Sequence, residues 1–279
     1  MQATGALVIS TDYRHAPEHK FPTAHNDVYG AYQWAMENAH RWSGNGKKVA
    51  VVGESAGGNM AAAVSIMAQS EGKQMPVHQV LIYPVANTVM DTPSYKENKD
   101  AKPLGAEAMK WFFDNMLATP NDASDPKIAL LQAESLKGLP PTTIITAEID
   151  PLRSEGMALA EKLRKDGVAV TYENYEGVTH EFFGTGLVVD KAQDAVALVA
   201  RELELSFNPF TTDLVSDIIG ASKCYLDHFN AWLFGDRLPA PDASPAALRV
   251  FCDGKFAEMD ADKSGAISPA ETLAFFQAM

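Results

Sequence analysis

A serine, a histidine and a carboxylate can together cleave an ester bond, provided the fold brings them into line. A neutral serine hydroxyl is a poor nucleophile. A histidine must take its proton, and a carboxylate must fix the imidazole tautomer and stabilise the imidazolium. In this chain Gly53-Glu54-Ser55-Ala56-Gly57-Gly58 follows the apolar run Lys48-Val49-Ala50-Val51-Val52 and precedes the helix-like Asn59-Met60-Ala61-Ala62-Ala63. Strand, sharp turn and helix with serine at the apex is the context in which G-x-S-x-G exposes a nucleophile and aims the next backbone N–H at the same spot. Ser55 is therefore the expected nucleophile and the Ala56 N–H an expected oxyanion donor; a serine in an ordinary strand–helix turn is the plainer alternative. The acid and the base should follow in that order. Thr142 to Ala147 reads as a strand ending in Glu148-Ile149-Asp150-Pro151, and Ala169 to Tyr175 as another leading to His180. Asp150 is the expected acid, with helix N-capping as its alternative role. His180 is the expected base, set apart from the other six of seven histidines by its position after the last strand.

The elements that must position these residues alternate. Ala6 to Thr11, Lys48 to Val52, Val80 to Val85, Thr142 to Ala147 and Ala169 to Asn174 have strand patterns. Ala24 to Ala39, Ala56 to Gln69, Ser154 to Lys165 and Ala192 to Leu205 have helical ones. Such alternation implies an α/β fold, a mostly parallel sheet flanked by helices. Asn87 to Leu139 interrupts it around an aromatic helix, Ala106 to Leu117, whose Trp111, Phe112 and Phe113 read as core packing rather than acyl contacts.

The motifs taken together resemble the hormone-sensitive-lipase-like (family IV) esterases. Asp12-Tyr13-Arg14-His15-Ala16-Pro17-Glu18 with Phe21-Pro22-Thr23-Ala24 is similar to their D-Y-R-L-A-P-E-x-x-F-P-A-A, and Gly53 to Gly58 to their G-[DE]-S-A-G-G. Asp150-Pro151-Leu152-Arg153 with Glu155-Gly156 resembles D-P-L-R-D-E-G, with Ser154 in place of an acid, and His180-Glu181-Phe182 resembles H-G-F, with Glu181 in place of glycine. The resemblance covers roughly residues 5 to 205. It implies an α/β-hydrolase fold that cleaves carboxylic esters through an acyl-enzyme with no metal or organic cofactor. The family's H-G-G-G oxyanion loop, opening strands and N-terminal cap have no counterpart in the sequence. The expectation is an incomplete hydrolase fold in which Met1 is an internal residue of a longer protein; a truncated pseudoenzyme is the competing account.

Beyond Leu205 a different pattern begins. Asp260-Ala261-Asp262-Lys263-Ser264-Gly265-Ala266-Ile267-Ser268-Pro269-Ala270-Glu271 fits a twelve-residue EF-hand loop. Asp260, Asp262 and Ser264 hold positions 1, 3 and 5, Ala266 offers its carbonyl at 7, Ser268 acts through water at 9, and Glu271 closes the site at 12. All are hard oxygen donors, so Ca2+ is the expected ion, in a role outside the hydrolysis. An acidic surface turn is the plainer reading. The expected organisation is a hydrolase domain over 1–205, a helical segment with a proline-containing linker over 206–243, and a small helical EF-hand over 244–279. The middle segment could serve as a homodimer or protein-partner surface.

Composition sets limits. With 279 residues and 46% hydrophobic content the chain can bury a substantial core. A net charge of −13 leaves no basic stripe for nucleic acid. The sequence shows no apolar run of transmembrane length and no leader, so the expected location is the cytoplasm. Cys224 and Cys252 lack metal-ligand or disulfide spacing and read as reduced thiols. The expected activity is hydrolysis of small esters with a calcium-binding appendage. The alternatives are an inactive hydrolase-like scaffold and a calcium-dependent interaction protein.

Overall fold

Residues 4–208 are described by a computed structural model. The EF-hand loop and nearly all of 206–243 lie outside the described residues, as do both cysteines.

Four parallel strands form one sheet in the order β1 (Val51–Glu54), β2 (Gln79–Ile82), β3 (Thr142–Ile149) and β4 (Val170–Thr179). Parallel neighbours need crossovers, which α2 (Ala56–Ser70) and α5 (Arg153–Lys165) provide for the outer pairs. Side chains of a strand alternate between faces, and both faces here are covered. Leu81 and Ile144 pack with Ala61, Ala62, Leu159, Ala160 and Leu163 of α2 and α5. Val80, Ile82, Ile145 and Ala147 pack instead with Ala192, Ala195 and Val199 of α6 (Asp190–Phe207). Covering both faces explains why β2 and most of β3 are buried without a polar alternation. A further helix, α1 (Thr23–Asn38), lays Tyr29 and Tyr32 against Val64 and Ala68 of α2.

Two expectations need correction. Ala6 to Thr11 forms no strand: residues 5–15 run without regular structure, and Leu7, Val8 and Ile9 are exposed. Apolar and β-branched residues supply propensity, but a strand exists only where a ladder partner is within reach. What secures this stretch is instead Arg14, whose guanidinium makes a two-pronged contact with both oxygens of Asp27 on α1. The Arg14 hydrogen bonds hold the Asp27 carboxyl down at about 2. The aromatic helix, α4 (Ala106–Met116), forms as expected, yet only one of its three consecutive aromatics is core. Phe113 is buried with Met109 one turn earlier, whereas Trp111 is 61% and Phe112 52% exposed. Adjacent residues on a helix lie about 100° apart, so three in a row cannot share one buried face.

Candidate active site

Because all four strands run parallel, their C-terminal ends share one edge of the sheet. Each end delivers one residue to it: Ser55 after β1, Tyr83 after β2, Asp150 after β3 and His180 after β4.

The turn after β1 is strained in the way a serine apex requires. Ser55 has φ 55° and ψ −118°, a backbone state that costs a non-glycine residue about 1–3 kcal/mol. Its N–H donates to the Ile82 carbonyl at 2.9 Å, tying the turn to β2. The glycines of the motif are unequal. A Cβ on Gly53 would sit 2.0 Å from the Gly57 carbonyl oxygen, and one on Gly58 would crowd Pro84 and the Gly53 carbonyl at about 3.1 Å. A Cβ on Gly57 would meet nothing within 4 Å. Behind the serine, buried Asn59 donates to the Val85 and Ile128 carbonyls at 2.9 and 2.8 Å and bonds His25 Nε2 at 3.0 Å. Ala56, the first residue of α2, is exposed, and its N–H is one of the four at a helix start without an intrahelical acceptor.

His180 Nε2 lies 3.0 Å from Ser55 Oγ, and its Nδ1 lies 2.6 Å from Asp150 Oδ2. Ionised Asp150 can only accept, so the Nδ1 proton points to it and the Nε2 lone pair faces the serine. The structure thus brings Ser55, His180 and Asp150 into one relay. Asp150 is not the N-cap of α5, which is Leu152; its Oδ1 instead accepts from the Leu152 N–H at 2.8 Å and shapes the turn that leads into the helix. The remaining histidines with clear environments serve elsewhere. His25 is buried, and burial holds its pKa below the ordinary value. His78 bonds Thr143 and Ser206 at the opposite end of the sheet, and burial lowers it to about 4.

The departure from the family pattern at Ser154 has a local answer. Ser154 N–H donates to Ser94 Oγ at 3.0 Å, Ser94 N–H donates to Ser154 Oγ at 3.2 Å, and Ser94 Oγ donates to the Pro151 carbonyl at 2.6 Å. Ser94 is the second residue of the short helix α3 (Pro93–Glu97), and Asn98 just beyond it donates to the Asp150 carbonyl at 3.3 Å. Two serines thus pin the acid-bearing turn without a second carboxylate.

Sequence reasoning assigned no role to two further residues. Glu155 is fully buried; its Oε1 accepts from the Ala86 N–H at 2.7 Å and the Asn87 N–H at 3.3 Å, linking α5 to the loop after β2. Burial, despite those donors, pushes its pKa up to about 8. Tyr83, at φ 35°, sets its ring 4.5 Å from that of His180 at an interplanar tilt of 52° and donates its hydroxyl to Glu54 Oε2 at 2.5 Å. Burial, and then Glu54 beside it, raise the phenol pKa and keep it protonated. The signal for Tyr83 was an aromatic at a strand end next to Pro84, but reading the strand through to Val85 absorbed it.

The alpha/beta hydrolase fold family matches residues 1–184. The chain belongs to that family. An ethyl acetate hydrolase of Pseudomonas putida is 34% identical over 205 residues, 73% of this chain and 64% of that protein. The carboxylesterase NlhH of Mycobacterium tuberculosis is 37% identical over 194 residues, 68% of this chain and 60% of that one. Among solved structures, a hyperthermophilic esterase of Pyrobaculum calidifontis superposes with a TM-score of 0.70 at 40% identity, covering 72% of this chain and 67% of the other. EstE1, a thermostable carboxylesterase from a metagenomic library, does so at 0.68 and 40%, covering 70% and 67%. The chain thus spans less than two thirds of the length of these two curated relatives. Among the described residues, no helix is long and apolar enough to cross a membrane.

Proposed function

We propose that this chain is the catalytic part of a serine esterase that hydrolyses small carboxylic esters. The observation that carries the reading is the continuous relay from Ser55 Oγ through His180 to Asp150. Ser55 Oγ attacks the ester carbonyl carbon while His180 Nε2 takes its proton, and Asp150 stabilises the imidazolium. The carbonyl oxygen becomes an oxyanion beside the Ala56 N–H at the start of α2, a position that favours negative charge. Collapse expels the alkoxide, which leaves as the alcohol with the proton from His180, and the acyl group remains on Ser55. Water deprotonated by His180 then releases the carboxylic acid and restores the serine. Small acyl groups are favoured because one relative of similar sequence is an ethyl acetate hydrolase. Comparing p-nitrophenyl acetate, butyrate and octanoate with wild type and Ser55→Ala tests the reading. Serine-dependent turnover that declines toward octanoate supports it; turnover unaffected by Ser55→Ala overturns it.

The segment Asp260 to Glu271 is proposed to bind Ca2+ on the strength of its sequence alone, through Asp260, Asp262, Ser264, Ala266, Ser268 and Glu271. Calorimetric titration should show binding heat that Glu271→Gln abolishes. Heat unchanged by that substitution would place the ion elsewhere.

A further inference from the structure

Tyr83 touches both halves of the relay without belonging to it. Its hydroxyl is bonded to Glu54, the residue before the nucleophile, at 2.5 Å. Its ring lies 4.5 Å from His180 and 6.0 Å from Phe182, centroid to centroid. The ring is fully buried, and its backbone is held at φ 35°, a region unusual for a bulky side chain. Its N–H donates to Ile145 of β3 at 2.6 Å, so the residue is anchored in the middle of the sheet.

The geometry points to Tyr83 and Glu54 as a pair of positioning residues that hold the nucleophile and the base in register, an inference that rests on the esterase reading. The phenol oxygen holds the residue preceding Ser55, and the ring of the same side chain lies against the imidazole of His180. Ser55 and His180 come from the two outermost strands of the sheet, β1 and β4, and nothing in the ladder fixes their separation directly. A strut across the catalytic edge does so. An error near 1 Å in such an alignment costs about 100-fold in rate, and losing one anchor of two should cost less. Neither residue takes or gives a proton in the reaction.

The experiment uses Tyr83→Phe, which removes the hydroxyl alone, with Glu54→Ala, Glu54→Gln and the Tyr83→Phe/Glu54→Ala double variant. Rates of p-nitrophenyl butyrate hydrolysis and of Ser55 labelling by a fluorophosphonate are measured on proteins whose melting is checked. Tyr83→Phe and Glu54→Ala should each lower kcat about tenfold with KM unchanged, and the double variant should lose no more than either single one. Glu54→Gln, whose amide oxygen can still accept from the phenol, should recover most of the rate. Additive losses, a KM effect alone, or no rate effect in a folded Tyr83→Phe would overturn the inference and leave the esterase reading intact. Failure of the wild type to label at Ser55 would overturn both.

Discussion

Glu155 offers a stability prediction whose sign follows from burial alone. Its carboxyl is fully enclosed between α5 and the loop after β2, and its pKa is raised from 4.5 to about 8. An acid raised on folding keeps its proton in the native state after the unfolded chain has lost it. Between pH 4.5 and 8 unfolding therefore releases a proton, and stability falls as pH rises. The contribution is fully present below the unfolded value and lost through the folded one, at about 1.4 kcal/mol per pH unit. From pH 5.5 to 7.5 this group alone should remove roughly 3 kcal/mol. Glu155→Gln keeps an acceptor for the Ala86 N–H but cannot ionise, so it should lack that slope. Urea unfolding followed by far-UV circular dichroism, on both proteins at both pH values, gives the comparison. The variant should lose about 3 kcal/mol less than wild type over the interval. Parallel losses in the two proteins would mean that Glu155 ionises normally where it sits, and the argument from its burial would be wrong.

The remaining predictions concern the elbow, the acid and the exposed aromatics. Gly53→Ala should unfold or severely destabilise the chain, because its Cβ would lie 2.0 Å from the Gly57 oxygen, whereas Gly57→Ala should melt within a few degrees of wild type; thermal melts decide it. Asp150→Asn should leave melting nearly unchanged but lower kcat about 10⁴-fold by presenting the wrong imidazole tautomer to Ser55, read from p-nitrophenyl butyrate hydrolysis. Trp111→Ser and Phe112→Ser should each shift urea-derived stability by less than about 0.5 kcal/mol, since both side chains are largely exposed. A loss of several kcal/mol would return them to the core.

Much of the site was legible because each chemical residue stands where an apolar run meets punctuation. Ser55 lies between a strand and two close glycines, Asp150 before a proline, and His180 at the end of β4. Local rules act within a few residues there, and the four long helices flanking the sheet begin and end within about two residues of their sequence patterns. What was hidden depends on partners distant in the chain. Ala6 to Thr11 had the composition of a strand but no ladder to join. Glu155 stood in a recognised motif, yet its role depends on the Ala86 and Asn87 N–H groups about seventy residues away. Tyr83 meets Glu54 and His180 only once β1, β2 and β4 share an edge. The replacement of an acid by Ser154 reads as a loss in one dimension, and only α3 shows that Ser94 compensates.

The account stands most directly on the reactivity of Ser55. Treating the folded chain with a fluorophosphonate and mapping the adduct by peptide mass spectrometry tests it. The account predicts one adduct per chain on Ser55, absent in Ser55→Ala and formed far more slowly in His180→Ala. An adduct on another serine, or none on a folded chain, would contradict it.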